Sequence, residues 1–290
     1  MVSVIVCTHN RAYRLEQTLK SLQEMIVPVG LPWEIIIVDN NSSDNTKEVI
    51  DNFINKFDLN VKYVVERHQG LSYARNMGVQ EASGTIIAFT DDDCIVDRHW
   101  VTSISKEFHS DESIAGIGGR VELYNKMDRP VSIRVYGGKM ILSSIDRLFN
   151  LIIGCNMAFA RPVFDEIGVF DTDFGAGTRF ASTEDIDFLY RTYKKGLKII
   201  YSPEVLVYHN HGRRSDEQIK ALYKGYAIGR GAFYCKHILM ADKDVLYLAY
   251  SELSSLIKQI TKRFIKGQLT ANQRLFFIYI VIGFVYRLKR

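Results

Sequence analysis

Several polar clusters in this 290-residue chain are placed to do chemistry, and three of them directly follow short apolar runs. Asp91-Asp92-Asp93 comes after Thr85–Phe89, Asp39 to Asp44 after Glu34–Val38, and Thr8 to Arg11 after Val2–Val6. Three adjacent carboxylates repel, and their charges are costly unless solvated or neutralised. A hard divalent cation with oxygen ligands, Mg²⁺ or Mn²⁺, neutralises such a group and normally bridges to substrate phosphates. Held there, it would stabilise the charge on a departing diphosphate as a Lewis acid. The plain structural alternative is an acidic first helical turn, which the macrodipole favours. A triple aspartate after a buried run speaks for the metal.

A second acidic group is Glu184-Asp185, with Asp187 beyond it. Acidic residues suit a helix start without any catalysis. Here, however, Gly175-Ala176-Gly177 precedes them, in a segment expected to be a loop that closes over a substrate and excludes water. A carboxylate at that helix start could remove the proton from an attacking hydroxyl. His209 and His211 are two apart at a strand end and so share a face. With Arg213-Arg214 following, they are candidates to complete a metal shell or touch a diphosphate.

These residues need a frame to bring them together. Short apolar runs alternate with helical patterns through the first two hundred residues, which predicts βαβ units and a mostly parallel sheet. Strands are expected at Val2–Val6, Glu34–Val38, Val61–Val65 and Thr85–Phe89, and later at Ala115–Leu123, Cys155–Ala160, Leu197–Tyr201 and Val205–His209. Asn10 is positioned to cap a helix bearing Leu15, Leu19 and Leu22, and Ser182 or Thr183 to cap one running to Gly196. In an open parallel sheet, ligands bind outside the carboxyl ends of strands, so the three polar clusters should converge on one cleft.

Read together, the motifs resemble those of the family 2 glycosyltransferases, of GT-A fold. The resemblance runs from about Val2 to Arg214. It comprises Val2 to Arg11, Ile37 to Asp44, Gly70-Leu71-Ser72-Tyr73-Ala74-Arg75-Asn76, Phe89 to Asp93, Gly154 to Phe159, Glu184-Asp185 and His209. It implies an inverting, metal-assisted transfer from a nucleotide diphosphate sugar, a UDP-sugar by family habit. Asp39 would hold the nucleobase with Thr8 and Arg11, and Asn10 and Asn41 belong to the same nucleotide-binding motifs. Arg75 and Asn76 would lie near the nucleotide. Asp91 and Asp93 look like the family's D-x-D pair, with Asp92 between them on the nucleotide side. The metal would fall to Asp93, Asp91 and His209, with His211 in reserve. Asp185 looks like the catalytic base, with Glu184 beside it.

The implied organisation is a GT-A domain over 1–214, with a nucleotide-binding half (1–95) and an acceptor half (96–214). A basic helical region follows over 215–290. The charge is divided accordingly: Arg213 to Arg290 holds 15 Lys+Arg against 5 Asp+Glu, and the rest of the chain is net acidic. Such basic regions meet anionic membranes or polyanions. The apolar stretch Leu275–Tyr286, flanked by Arg274, Arg287, Lys289 and Arg290, is too short for a bilayer span and reads as an interfacial helix. Packing on the protein's own surface or on a second subunit of a homodimer is the competing expectation.

The four cysteines are scattered without a C-x-x-C pair, which predicts reduced core thiols. No basic n-region opens the chain, so the expected location is cytoplasmic, at the membrane's inner face. The expected acceptor is a saccharide or lipid-linked hydroxyl in cell-surface glycan synthesis, and no nucleic acid partner is expected. Two alternatives are a sugar nucleotidyltransferase and a catalytically inactive nucleotide-sugar-binding module. The first lacks its usual glycine-rich phosphate loop between Val6 and Leu15; the second does not account for an acidic metal group together with a candidate base.

Overall fold

The computed structural model describes residues 1–265 and 271–289, which form two compact units. The first is Met1–Thr172 with Glu184–Gly212; the second is Asp173–Thr183 with Arg213–Arg290. The side chain of Arg274 and the whole of Arg290, both invoked above as flanking charges, lie outside the described residues.

The first unit opens with alternating strands and helices: β1 (Val2–Thr8), α1 (Ala12–Gln23), β2 (Trp33–Asp39), α2 (Thr46–Lys56), β3 (Val61–Val65), α3 (Leu71–Glu81) and β4 (Ile86–Asp91). It continues with β5 (Cys94–Val96), α4 (Trp100–Ser110), β6 (Ile114–Leu123), β7 (Met140–Ile141), α5 (Ile145–Leu151), β8 (Asn156–Ala160), α6 (Pro162–Ile167), α7 (Glu184–Lys194) and β9 (Lys198–His209). The sheet order is β3-β2-β1-β4-β8-β6-β9-β5, with β7 on β9. The four strands β3, β2, β1 and β4 are parallel, and so are β6 and β9; β8, β5 and β7 run antiparallel to their neighbours. This is the α/β architecture expected.

Burial explains why the strands read as continuous apolar runs. Every residue of β1 is buried, as are Ile35 to Asp39 of β2, because both faces of the sheet are covered. One cover is α1, whose Leu15, Leu19 and Leu22 point inward at helical spacing. The other is α3, which leans on β1 so closely that a Cβ at Gly78 would press on Ile5.

Two expectations need correction. Leu197–Tyr201 and Val205–His209 are one strand, β9, rather than two. Its register against β6 jumps from Gly119↔Ser202 to Arg120↔Leu206, so Pro203 sits in a bulge where it has no ladder hydrogen bond to donate. Asn10 is not a helix cap. Arg11 precedes α1 without a side-chain cap, and the Asn10 carboxamide oxygen accepts instead from the Ser43 and Asp44 amides.

The second unit contains α8 (Asp216–Leu239), α9 (Lys243–Ile265) and α10 (Ala271–Leu288). At 18 residues, α10 is longer than the apolar stretch that announced it. Among the described residues no helix is long and apolar enough to cross a membrane. α10 lies against α8 with backbones in contact: a Cβ at Gly231 would strike the Ile280 carbonyl, and one at Gly283 the Ile228 carbonyl. The glycines are therefore required by close approach. Gly231→Ala is expected to lower unfolding stability by about 1–3 kcal/mol in urea titration; an unchanged midpoint would mean that the two helices separate freely.

Candidate active site

Parallel pairing of β1 with β2 and β4 sets Thr8 beside Asp39 and Cys7 beside Asp91, so the polar clusters emerge together at the strands' carboxyl ends. Asp39 is buried; its Oδ1 accepts the Ser42 amide at 2.8 Å and its Oδ2 the Tyr63 hydroxyl at 3.0 Å. Burial and the Asp39 carboxylate push the Tyr63 phenol up to about 12, so it remains a donor. Next to it, Asn40 accepts the Gly70 amide and donates to the Glu66 and His68 carbonyls, tying the end of β2 to the start of α3. Asn10 and Asn41 are exposed and left-handed (φ 53° and 62°), a conformation that asparagine tolerates and that turns the chain sharply around the strand ends. Tyr63 is a site residue the sequence reading missed; nothing in its local pattern marks it.

The triple aspartate divides three ways. Asp92 is held by the Thr8 hydroxyl (2.8 Å) and by Arg11 (3.1 Å). Burial pushes its carboxyl up to about 7, with Arg11 opposing the rise and Asp93 adding to it. Asp93 meets Arg11 through Oδ2 (2.9 Å) and His209 Nε2 through Oδ1 (3.3 Å). Burial works against charging His209, but the bond to Asp93 and the negative charges around it together outweigh it, and the imidazole is pushed up to about 9. Asp91 is the open member, its side chain 31% exposed. The His211 ring stands edge-on to His209 with centroids 5.0 Å apart.

Asp93, Cys94 and His209 bring potential ligand atoms within 4.8 Å of one another. Burial drives the Cys94 thiol well above its ordinary range, which disfavours the thiolate, and a thiol is a soft partner for a hard cation. The effective donors are carboxylate oxygens and one imidazole, a set that fits a hard divalent cation such as Mg²⁺ or Mn²⁺. All four cysteines are buried free thiols.

The carboxylates at the start of α7 join this cluster through Arg75. Its guanidinium is buried (side chain 2% exposed) and donates to Glu184 (2.8 Å), Asp91 (3.3 Å) and the Gly154 carbonyl (3.2 Å). It also stacks over Phe89 and Phe170. Asp185 accepts the Gly154 amide at Oδ2 (2.7 Å) and the Ile186 amide at Oδ1 (2.8 Å). A Cβ at Gly154 would press on the ends of the Arg75 and Asp185 side chains. Burial and the neighbouring Asp185 push Glu184 up to about 7, with Arg75 pulling it down. Asn76 exchanges two hydrogen bonds with the Phe170 backbone. Asp187 is fully buried on Arg191 and belongs to the scaffold.

Arg75→Met would leave two carboxylates near the site without their cation. Breaking such a pair costs about 3–5 kcal/mol. Glu184 already titrates above its ordinary value, and losing Arg75 raises it further. A carboxyl whose folded pKa is raised costs nothing below its unfolded value and its full amount above the folded one. Urea titrations should therefore show a stability loss in Arg75→Met that grows from pH 5 to pH 8; equal losses at both would mean Arg75 does not carry these charges.

Residues 3–168 match the family model described as glycosyl transferase family 2. Glycosyltransferase AglE of Haloferax volcanii is 27% identical over 233 residues, covering 79% of this chain and 72% of the relative. The glucosyl-dolichyl phosphate glucuronosyltransferase of the same organism is 24% identical, covering 72% of this chain and 68% of its own length. Among solved structures, the mannosyltransferase PcManGT from Pyrobaculum calidifontis, in complex with GDP-Man and Mn²⁺, superimposes with a TM-score of 0.68 at 20% identity, over 99% of this chain and 86% of that one. TarS 1-349 of Staphylococcus aureus with UDP-GlcNAc gives 0.61 at 18% identity, over 79% and 65%. A family model spanning more than half the chain, relatives of the same name and a common fold lead to one conclusion: this protein belongs to glycosyl transferase family 2 and is a glycosyltransferase of GT-A fold.

Proposed function

We propose that the chain transfers a sugar from a nucleotide diphosphate sugar to an acceptor hydroxyl, with inversion at the anomeric carbon and Asp185 as the base. The observation that carries this reading is Arg75, whose one guanidinium touches Asp91 on the donor side and Glu184 beside Asp185. Two backbone amides hold Asp185 as an acceptor. It takes the acceptor's proton while the acceptor oxygen bonds to the anomeric carbon and the bond to the diphosphate oxygen breaks.

Asp39, flanked by Ser42 and Tyr63, receives the nucleobase, with Thr8, Asn10, Arg11 and Asn41 shaping that end. Asp91, Asp92 and Asp93 face the ribose and diphosphate. Asp91, Asp93 and His209, with His211 behind, hold Mg²⁺ or Mn²⁺, which when bound stabilises the negative charge of the leaving diphosphate. The neighbour bound to GDP-Man and Mn²⁺ supports the metal, and the one bound to UDP-GlcNAc supports a uridine donor. The relative named for dolichyl phosphate supports a lipid-linked acceptor.

Asp185→Asn is expected to reduce transfer by at least about 10²-fold, the usual worth of a positioned base. Titration calorimetry with UDP-GlcNAc or GDP-mannose and Mn²⁺ should give a donor affinity within about twofold of wild type, because the base is not part of the binding energy. Near-normal turnover in this variant would move the base elsewhere. Loss of donor binding on chelation is the matching sign of the metal.

A station at a membrane surface belongs to the same reading. Leu275, Ile278, Val281, Val285 and Leu288 form an exposed stripe along α10, opposite the face that packs on α8. An apolar stripe in a basic region suits an interface containing anionic lipid. Ile278→Ser with Val285→Ser should lower co-sedimentation with phosphatidylglycerol vesicles while leaving the thermal midpoint in place. Equal sedimentation of the two proteins would remove α10 from the contact.

A further inference from the structure

The turn after Asp91 leads straight into β5 and sets thiols beside the carboxylates. Cys94, the first residue of β5, is the register partner of His209 across the antiparallel pair of β5 and β9. Side chains directly opposite one another in such a pair stand on the same face of the sheet, with Cβ atoms about 4.5–5.5 Å apart. A carboxylate oxygen of Asp93, the Cys94 sulfur and a ring nitrogen of His209 accordingly lie within 4.8 Å of one another. A second thiol, that of Cys155 just before β8, is hydrogen-bonded to Cys94. All four side chains are buried.

Two of them are already held in the orientation a cation needs. The Ser132 carbonyl lies 3.2 Å from His209 Nδ1 and can only accept, so Nδ1 carries a hydrogen and Nε2 is the nitrogen left to a metal. Metal-ligating histidines are fixed in this way, by donating from their other ring nitrogen to a carbonyl or carboxylate. Asp93 Oδ2 meets Arg11, and Oδ1 faces His209 Nε2 at 3.3 Å. A thiol serves Mg²⁺ or Mn²⁺ poorly. Zn²⁺ is softer and takes Cys, His and Asp as its ordinary ligands.

We propose that Asp93, Cys94 and His209, with Cys155 as the fourth ligand, form a zinc site that excludes the hard cation. The exclusion rests on the transferase reading above, in which Asp93 and His209 hold Mg²⁺ or Mn²⁺; the same two side chains cannot serve both ions. Zn²⁺ enters as the hydrated ion and sheds its water. Its bonds to the two sulfurs and to Nε2 form as both thiols and the imidazole each release a proton to solvent, and no electron changes hands. Coordination deprotonates a thiol outright, which overcomes the resistance of a buried thiol to ionising. At nitrogen and sulfur donors Zn²⁺ also binds more tightly than Mn²⁺.

The test uses full-length protein and Co²⁺, a coloured stand-in for Zn²⁺. One equivalent is expected to give a sulfur-to-cobalt charge-transfer band in the near ultraviolet, which added Zn²⁺ abolishes. Cys94→Ala should lose the band and bind Zn²⁺ at least about tenfold more weakly by calorimetry, since even the loss of a residue that orients a ligand costs that much. Zn²⁺ should release Mn²⁺ from the wild-type protein, read by the paramagnetic resonance signal of free Mn²⁺ with UDP-GlcNAc or GDP-mannose present. A cobalt spectrum without the sulfur band, an unchanged band in Cys94→Ala, or Mn²⁺ that stays bound beside zinc each overturns the proposal. If Cys94→Ala does not fold, Cys155→Ala is read in the same way. Wild-type protein that shows the band but binds neither donor with Mn²⁺ overturns the transferase reading and leaves the zinc site standing; donor binding without the band overturns the zinc site alone.

Discussion

A single buried guanidinium holds the site in one piece. Arg75 comes from the first turns of α3, Asp91 from the end of β4, Gly154 from the approach to β8 and Glu184 from the start of α7. A charge this deep is unaffordable without partners. Burial opposes the charged guanidinium, and Glu184 and Asp91 outweigh that opposition. The requirement is mutual: two carboxylates and a glycine carbonyl converge because the arginine needs them, and the arginine stays ionised because they are there. A side chain at Gly154 would crowd this arrangement.

Beside this knot, the triple aspartate shows how neighbouring residues of one type acquire different lives. Asp92 turns toward Thr8 and Arg11, Asp93 toward Arg11 and His209, and Asp91 toward Arg75 and the open side. The chain turns at Asp92 and Asp93, between the end of β4 and the start of β5, and the turn aims the three side chains at different partners. Positive charge reaches the cluster from three separate elements. That spread keeps three acidic side chains compatible with a largely buried strand end.

Local pattern made the parallel half of the fold readable. β1 to β4 lie within about two residues of their apolar runs, because strands covered on both faces must be apolar throughout. Ser215 and Gln218 even form a capping box at the start of α8, which the sequence reading passed over. The rest of α8 carries a weak apolar signal, because it packs through glycine and alanine: Ala227, Gly229, Gly231 and Ala232. What local pattern could not supply was partnership. Asn10 looked like a cap because of its position, yet its partners Ser43 and Asp44 lie on the next loop. Arg75 and Glu184 are 109 residues apart, and no spacing rule connects them.

The packing of 173–183 against α8 and α10, where Lys236 stands over Phe174 and Arg287 over Phe174 and Phe180, bears on how such a chain can diversify. Residues 3–168 carry the family's shared pattern, and the segment that the helices grip begins just after it. Phe174 and Phe180 therefore share their fate with Lys236 and Arg287, the last of these 114 positions after Asp173. Inheritance acts here on a cassette cut in two by the gene and reunited by the fold. A drift in either half is tolerable only when the other drifts with it.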